Sequence, residues 1–209
     1  MPNPDPLLTV AHPHVHELEI RRSRFRCLVA EATDETTARG LVTDQRTAHP
    51  KANHHCVAYV LGSHREIQRS SDDGEPGGTA GVPMLDVLLR RGMTNTVAVV
   101  TRYFGGIRLG AGGLVRAYGQ AVSQTLDLAG TAVLRPYLRC QLRADYADAG
   151  LLEHEIRQTS GDLRTVTYQD HAEFEVDVPE TDLDSFRHWA SRTAGGRVHL
   201  LIGHRHHRR

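Results

Sequence analysis

Three carboxylates stand close together near the middle of the chain, on a segment whose glycines and proline mark it as a loop. Asp72, Asp73 and Glu75 fall within four residues, and Thr79 follows shortly after them. Carboxylate oxygens are the ligands that magnesium prefers, and carboxylates also act as general acids and bases. They can equally accept hydrogen bonds from glycine-rich backbone or pair with arginines. The residue types leave a metal site, a catalytic site and a structural role open.

A second glycine-rich loop follows a continuous apolar segment and carries basic side chains. Arg102 precedes this loop and Arg108 lies within it. Its glycines are Gly105, Gly106, Gly110, Gly112 and Gly113. The pattern predicts a buried strand, the loop and then a helix, so that free N–H groups at the helix N-terminus and two guanidinium groups could bind a phosphate. The spacing matches neither the P-loop nor the dinucleotide-binding motif, and the glycines could serve only a tight left-handed turn.

Histidines supply the remaining candidates for chemistry. His54 and His55 are adjacent in a predicted strand, so their side chains point to opposite faces and are not expected to share a metal. One of them could face the site, but a surface histidine beside a half-buried one is the favoured explanation of the pair. We assign no nucleophile and predict no metal site or cofactor, with magnesium at the carboxylates as the open alternative.

The three cysteines do not indicate a disulfide or zinc site. Cys27, Cys56 and Cys140 are odd in number, far apart and placed within apolar alternation. This pattern predicts buried free thiols in a reducing compartment.

Composition indicates a soluble globular protein and excludes several classes. The chain has 209 residues, 39% hydrophobic, with 25 basic and 25 acidic side chains. No apolar run approaches the roughly 20 residues that span a bilayer, and no secretory signal is expected at the N-terminus. The neutral charge differs from the basic body of a protein that coats nucleic acid. We predict a cytoplasmic protein and make no prediction of its oligomeric state.

Hydrophobic periodicity predicts alternating strands and helices in the first part of the chain. The predicted elements are a strand pair at residues 17–22 and 25–30, a helix that begins after Thr33 or Asp34, a hairpin at 55–61 and 66–70, a helix from Pro83 to Gly92, a strand at 96–103 and a helix closing at Gly130.

The pattern changes after Pro136. Strand, helix, strand, strand, helix and strand follow within about 70 residues, which is the order of a ferredoxin-like domain. We therefore predict an α+β protein with a boundary near Arg135 and Pro136. The predicted divisions are a flexible N-terminus at 1–16, an N-terminal domain at 17–135, a ferredoxin-like domain at 136–203 and a mobile basic tail at 204–209.

Several segments resemble the YigZ/IMPACT family, in a match that runs from about residue 17 to residue 130. These segments are SRF at 23–25, ANHHCVAY at 52–59, DDGEP at 72–76 with GTAG at 78–81, VVTRYFGGIRLG at 99–110 and GGLVRAY at 112–118. One departure is Gly77, where the family usually has serine. This departure weakens any proposal that needs a hydroxyl there.

The resemblance implies a fold and a setting. It implies an N-terminal domain similar to domain 2 of ribosomal protein S5 and a C-terminal domain similar to domain V of elongation factor G. It also implies a link to translational control, because the eukaryotic relatives interfere with activation of a kinase that phosphorylates a translation initiation factor. The bacterial members have no settled biochemical activity.

Three hypotheses follow. The first is a non-enzymatic cytoplasmic protein that binds RNA, the ribosome or a translation-associated partner through residues 72–81 and 102–113. The second is a magnesium-dependent enzyme acting on a phosphorylated metabolite or nucleotide, with the carboxylates holding the metal and the arginines holding phosphate. The third is a pure protein-interaction module.

Overall fold

The structure is a computed structural model that describes residues 7–208, apart from the side chain of Ala194. The chain divides into two compact units, one ending at Leu134 and the other beginning at Arg135. The described residues form a mixed α+β protein with five α-helices and two β-sheets. Within residues 7–208, none of the helices combines the length and apolar character needed to cross a membrane.

The first unit contains most of the strands and three of the helices. These elements are β1 (Leu7–Val10), β2 (His14–Ile20), β3 (Ser23–Glu31), α1 (Glu35–Ala48), β4 (His54–Leu61), β5 (Ile67–Ser71), α2 (Gly81–Arg90), β6 (Thr96–Tyr103) and α3 (Ala111–Ala129). The next strand, β7 (Thr131–Ala144), begins in this unit and continues into the second.

Five of these strands form an antiparallel sheet in the order β2, β3, β6, β4 and β5. The central strand β6 is buried almost throughout and is apolar from residue 97 to residue 100, because both faces of the sheet are covered. One face packs on α2 and α3 around Phe25, Met84 and Tyr118, and the other packs on α1 around Tyr59 and Val97. The sheet therefore holds the end of β6, and the loop that follows it, in a fixed position.

Register across the sheet brings distant residues together at that end. Arg102 in β6 lies opposite Phe25 in β3 and opposite His54 in β4. The two predicted loops follow neighbouring parts of this structure, since residues 72–81 join β5 to α2 and residues 104–110 join β6 to α3.

The second unit has the element order that the sequence predicts. Its elements are the rest of β7, then α4 (Tyr146–Ile156), β8 (Asp162–Tyr168), β9 (Ala172–Pro179), α5 (Leu183–Arg192) and β10 (His199–Arg208), with short 3-10 turns on either side of α5. The strands lie in the order β10, β7, β9 and β8. Leu142, Leu152, Phe174 and Phe186 are among the buried residues of its core.

The expectation of a flexible N-terminus at 1–16 is wrong for residues 7–16. Leu7–Val10 pairs with the first four residues of β7, and Val10 is fully buried. Residues from 14 onward belong to β2. The pairing partner of β1 lies more than 120 residues away in sequence, so no local pattern could reveal it. Residues 1–6 lie outside the described part of the chain.

The expectation of a mobile tail at 204–209 is also wrong as far as the structure describes it. Residues 205–208 pair with the beginning of β7 in the second unit, after a bulge that follows Ile202. The guanidinium of Arg208 binds Asp162 (2.8 Å) and Asp177 (3.1 Å). The basic and histidine side chains that look like a solvated end are the continuation of an edge strand. Arg209 lies outside the described residues.

Candidate functional site

The acidic loop, residues 72–81, begins with a carboxylate that closes the N-terminus of α2. Asp72 Oδ1 accepts hydrogen bonds from the backbone N–H groups of Ala80 (3.0 Å) and Gly81 (2.8 Å). Its Oδ2 accepts a third from Gly78 (2.8 Å). Burial opposes ionisation of Asp72, but the three donors hold the pKa of this carboxyl below its usual value. Asp72 is therefore the ionised cap of α2.

The second carboxylate ties the acidic loop to α1 and β4. Asp73 Oδ2 accepts a hydrogen bond from the backbone N–H of His55 (2.6 Å), and its Oδ1 accepts one from the Arg46 guanidinium (2.5 Å). Its backbone has a φ of 44°, a conformation that aspartate tolerates better than most residues. The Asp73 carbonyl accepts a hydrogen bond from His54 Nδ1 (2.8 Å).

The third carboxylate forms a buried ion pair with the arginine at the end of β6. Arg102 Nη1 lies 2.5 Å from Glu75 Oε1, and the two side chains are 6% and 4% exposed. The hydroxyl of Tyr118 donates to the same oxygen (2.7 Å), and Arg102 Nη2 donates to Ser23 Oγ (3.3 Å). This network joins the acidic loop, α3 and two strands of the sheet.

The expectation that Arg102 presents its charge to an outside anion is therefore wrong. Its guanidinium lies over the rings of Phe25 (5.2 Å) and Phe104 (5.7 Å) and is neutralised by Glu75. A buried arginine needs a hydrogen-bonded counter-charge, since an isolated charge is very costly away from water. Arg102 holds the two loops together from inside.

The remaining side chains of the acidic loop have local roles. Thr79 is buried, and its hydroxyl donates to the carbonyl of Pro76 (2.6 Å). Gly77 is exposed, and a side chain added there would meet nothing within 4 Å. The serine that the family usually carries at this position would therefore fit without rearrangement.

Burial keeps the hydroxyl and thiols near this network protonated. It strongly raises the pKa of Tyr118, which remains a hydrogen-bond donor. Burial also raises the pKa of Cys56 to about 12, and of Cys27 to about 12. All three cysteines are buried and free, as the sequence predicts. None of these thiols is activated as a nucleophile.

The two adjacent histidines diverge, as strand alternation predicts. His54 is half-buried, with Nε2 3.9 Å from Glu75 Oε1, and it lines the cleft described below. His55 is buried on the other face, with Nδ1 3.2 Å from Thr101 Oγ1. Burial lowers the pKa of His55.

The glycine loop, residues 104–110, contains three positions at which the backbone conformation or a close contact requires or favours glycine. At Gly105 an added Cβ would lie 2.0 Å from the backbone of Arg22, so only glycine allows this contact with the turn between β2 and β3. Gly106 and Gly110 have φ values of 85° and 73°, which disfavour other residues. The N–H of Gly105 also donates to Ser23 Oγ (3.2 Å).

The N-terminus of α3 has no side-chain cap. Gly110 occupies the capping position and offers no side chain, and no other described residue caps this end. Helix geometry leaves the first N–H groups, those of Ala111, Gly112 and Gly113, without partners inside the helix. Ala111 and Gly112 are exposed. Partial positive charge at this end therefore faces outward.

A cleft of about 450 Å³ opens beside this helix end, and we call it the loop cleft. It is lined by Asn53, His54, Glu75, Pro76, Arg102, Phe104, Arg108, Leu109, Gly110, Ala111 and Leu114. The cleft thus contains the free end of α3, the predicted arginine Arg108 and the exposed ring of Phe104, which is 46% exposed.

Four exposed arginines belong to α3 or to segments that meet its N-terminal end. Arg108 lies in the glycine loop, and the backbone of Arg22 lies against Gly105. Arg21 and Arg116 line a smaller depression of about 200 Å³ that includes Gly113 and Leu109; we call it the bridging depression. Within residues 7–208, none of these four guanidinium groups forms an ion pair. We call this set the arginine cluster.

Sequence reasoning identified Arg108 but missed the other three members of the arginine cluster. Arg21 and Arg22 are brought to the loop by the contact of Gly105 with Arg22. Arg116 lies one helical turn after Gly112, with Nη1 3.8 Å from a Cβ placed there. Helical spacing from the loop gave a usable signal for Arg116. The β2–β3 turn gave none, because its contact with the loop is set by the sheet.

Two family models match the chain. The Impact N-terminal domain matches residues 21–126, which include both loops and the arginine cluster. A domain of unknown function, DUF1949, matches residues 142–197 in the second unit.

Individual proteins are similar over nearly the whole chain. The IMPACT family member YvyE of Bacillus subtilis (strain 168) is 42% identical over 195 residues, covering 93% of this chain and 90% of that protein. The IMPACT family member YigZ of Escherichia coli (strain K12) is 38% identical, covering 88% and 91%. A crystal structure of a protein described as hypothetical superimposes with a TM-score of 0.74 at 37% identity, covering 93% of this chain and 95% of that one.

Proposed function

We propose that this chain, which belongs to the IMPACT family, binds RNA through the loop cleft and the arginine cluster without catalysing a reaction. The proposal places the protein in the cytoplasm, with RNA presented free or as part of the ribosome, and links it to regulation of translation. That setting comes from the family resemblance. The chemistry of the contact comes from the residues around the N-terminus of α3.

The observation that carries the proposal is the arginine cluster beside an uncapped helix end. In the described part of the chain these four exposed guanidinium groups have no carboxylate partner, whereas Arg102 and Arg46 do. Cations without partners and outward N–H groups both favour phosphate oxygens. Their common location supports a phosphate-bearing ligand.

The apolar side chains beside the cluster support RNA over a simple phosphate. Phe104 and Ile107 are 46% and 41% exposed in the glycine loop. Exposed aromatic rings next to basic side chains are the usual platform on which unpaired bases stack. The neutral charge of the whole chain favours a local contact of this kind over wrapping along a nucleic acid.

The fold is consistent with this setting. We propose that the first unit has the ribosomal protein S5 domain 2-like fold and the second the ferredoxin-like fold of elongation factor G domain V. The second part is supported by the element order β7, α4, β8, β9, α5, β10 and by the strand order of its sheet. Fold likeness by itself says nothing of the ligand.

The magnesium-dependent enzyme remains the alternative prediction. Asp72, Asp73 and Glu75 each accept hydrogen bonds from protein donors, so a magnesium ion on them would have to replace those contacts. Calorimetric titration with magnesium and nucleotides tests this alternative. Saturable heat that disappears in Asp73→Asn would favour the enzyme over the RNA-binding protein.

Binding of single-stranded oligouridylate, followed by fluorescence anisotropy at several salt concentrations, tests the proposal. Arg108→Ala is expected to weaken binding about tenfold at low salt and to reduce the slope of log affinity against log salt by about 0.7. Arg192→Ala is the control, because Arg192 is an exposed arginine of α5 in the other unit.

Two results would contradict RNA binding. One is equal affinity for the wild type, Arg108→Ala and Arg192→Ala, with each variant folded. The other is a partner pulled down from lysate that survives nuclease treatment and is lost in Arg108→Ala, since that result would make the same surface a protein-interaction module.

A further inference from the structure

A groove runs along the exposed side of α2 and α3, beyond the loop cleft. The helices lie side by side: Gly119 of α3 faces Val87 of α2, with 3.8 Å between an added Cβ and Val87 Cγ2. The space between them measures about 840 Å³. We call it the α2–α3 groove; its floor includes Pro83, Val87 and Gly119. Neither the family match nor the proposed function gives this groove a role.

The charged groups of the groove favour an anionic occupant. Arg90 and Arg116 line it together with the acid Asp86, and all three are exposed. Within residues 7–208, none of the three forms an ion pair. At the open end, Val82 and Val115 are 49% and 40% exposed. The groove therefore combines two available cations with an exposed apolar surface.

The groove is continuous with the proposed RNA contact. Arg116 and Gln120 line both the α2–α3 groove and the bridging depression. Leu109 lines both the bridging depression and the loop cleft. The three depressions therefore form one path from Phe104 to Arg90. Between Ala111 and Gln124 the path follows α3 for about 20 Å.

We infer that a single strand of RNA lies along this whole path, with its backbone following Arg108, Arg21, Arg116 and Arg90. This inference rests on the proposed function and extends it from a point contact to a site of several nucleotides. Cations recur along the path, and apolar surface is exposed at Phe104 and at the pair of valines. Recurring cations beside apolar surfaces suit a strand whose phosphates and unpaired bases are both accessible.

A rigid duplex and an acidic protein helix fit the observations less well. The loop cleft, the bridging depression and the groove are lined by different residues around α3, an arrangement that a flexible strand can follow. A protein helix would use the α2–α3 groove alone and would not account for its continuity with the arginine cluster. RNA accounts for both features with one ligand.

A length series of oligouridylates tests the inference. Arg90→Ala is expected to leave the affinity for a dinucleotide unchanged and to weaken binding of a dodecanucleotide, with a loss of about 0.7 in the salt slope. Arg91→Ala is the matched control at the residue that follows α2 directly, because its guanidinium is already held by Asp127 and Ser123, each at 2.8 Å.

A gain-of-binding variant sharpens the test. Asp86→Asn removes the one acid that lines the α2–α3 groove among residues 7–208 and is expected to tighten dodecanucleotide binding severalfold without affecting the dinucleotide. Because the side chain is exposed, this substitution should not disturb folding. A gain that appears only with long oligonucleotides supports the path.

The outcomes separate this inference from the proposed function. Suppose that affinity stops rising at two or three nucleotides, that Arg90→Ala does not change RNA affinity and that Arg108→Ala weakens it. This result overturns the extended path and supports RNA binding at the loop cleft. Absence of binding at every length, with the protein folded, removes both. A duplex that binds as tightly with the same dependence on Arg90 overturns the single-strand assignment. The inference is also overturned if Arg90→Ala abolishes binding of a protein partner that survives nuclease treatment and leaves RNA affinity unchanged. That result would make the groove a protein-binding site.

Discussion

Two helix N-termini in the first unit follow glycine-rich loops, and they differ in whether a side chain accepts hydrogen bonds from their N–H groups. At α2, Asp72 accepts three backbone N–H groups, those of Gly78, Ala80 and Gly81. At α3, the capping position is Gly110 and no side chain accepts the corresponding groups in the described structure. The first loop also carries Glu75, which neutralises the buried Arg102, whereas the arginines around α3 are exposed.

This difference separates a structural loop from one that is available to a ligand. A glycine at the capping position in place of a capping side chain costs a helix roughly a few tenths of a kcal/mol. The same sequence that supplies a carboxylate to α2 from eight residues away leaves α3 with a glycine cap and a first turn containing Gly112 and Gly113. The first arrangement stabilises the fold, and the second leaves N–H groups for an anion from outside.

The largest expected effect on stability comes from breaking the buried ion pair of Arg102 and Glu75. Arg102→Ala leaves the Glu75 carboxylate buried without its partner and should lower the free energy of unfolding by about 3–5 kcal/mol. Arg108→Ala, on the exposed side, should change it by less than about 0.5 kcal/mol. Urea denaturation of both variants measures the difference. Similar losses in both would contradict the distinction between the loops.

Removing the α2 cap should have the next largest effect. Asp72→Ala leaves three N–H groups without their acceptor, and we expect a loss of about 2 kcal/mol. Asp72→Asn should lose less, because its amide oxygen can still accept from the helix. RNA affinity of the folded protein should be unchanged in both. A binding defect equal to that of Arg108→Ala would show that the hydrogen bonds of Asp72 are needed for RNA binding as well as for stability.

A substitution at the open helix end should separate stability from binding. Gly112→Ala reduces the freedom of the unfolded chain and should stabilise the protein by about 0.5 kcal/mol. The added methyl group restricts approach to the N–H groups and should weaken RNA binding about fivefold, the equivalent of one hydrogen bond.

Gly40→Ala provides the control for that substitution. Gly40 lies inside α1, where an added Cβ meets nothing within 4 Å, so we expect a similar gain in stability with unchanged RNA affinity. If Gly112→Ala also left affinity unchanged, close approach of a ligand to this helix turn would be excluded.

The smallest expected effect is the change of stability with pH that comes from the buried His55. Burial lowers the pKa of His55 below its ordinary value of 6.5, so protonation favours the unfolded chain. The stability contributed by neutral His55 is complete above pH 6.5 and is lost as pH falls through the lowered folded value. Thermal melts from pH 7.5 to 5 should therefore show a steeper decline for the wild type than for His55→Gln. Parallel curves would contradict this assignment.

Local patterns predicted the elements that depend on local chemistry. The strand at 96–103 was predicted with the bounds that β6 has, because residues 97–100 are an unbroken apolar run and a glycine-rich loop follows the strand. Asp34 was one of two predicted caps and does accept a hydrogen bond from Thr37 N–H, at 2.7 Å. The end of α3 at Gly130 is likewise marked by a left-handed glycine.

Features that depend on distant contacts could not be read in the same way. The direction of Arg102 is set by Glu75, a partner 27 residues earlier in the sequence, and the strand pattern alone does not specify it. Leu7–Val10 pairs with the first four residues of β7, and Arg208 pairs with the part of β7 that lies in the second unit. These strand pairings hold both segments in place. Arg21 and Arg22 reach the glycine loop only because they lie in the β2–β3 turn and β3 pairs with β6.

Backbone amide shifts measured by NMR during titration with single-stranded RNA test the central claim most directly. We expect the amide signals of Ala111, Gly112 and Gly113 to shift most and in a saturable way, and those of Ala80 and Gly81, whose N–H groups are already bound by Asp72, to shift less. Shifts at the α2 residues with none at α3, or no shift at either helix while RNA binds elsewhere, would contradict the account.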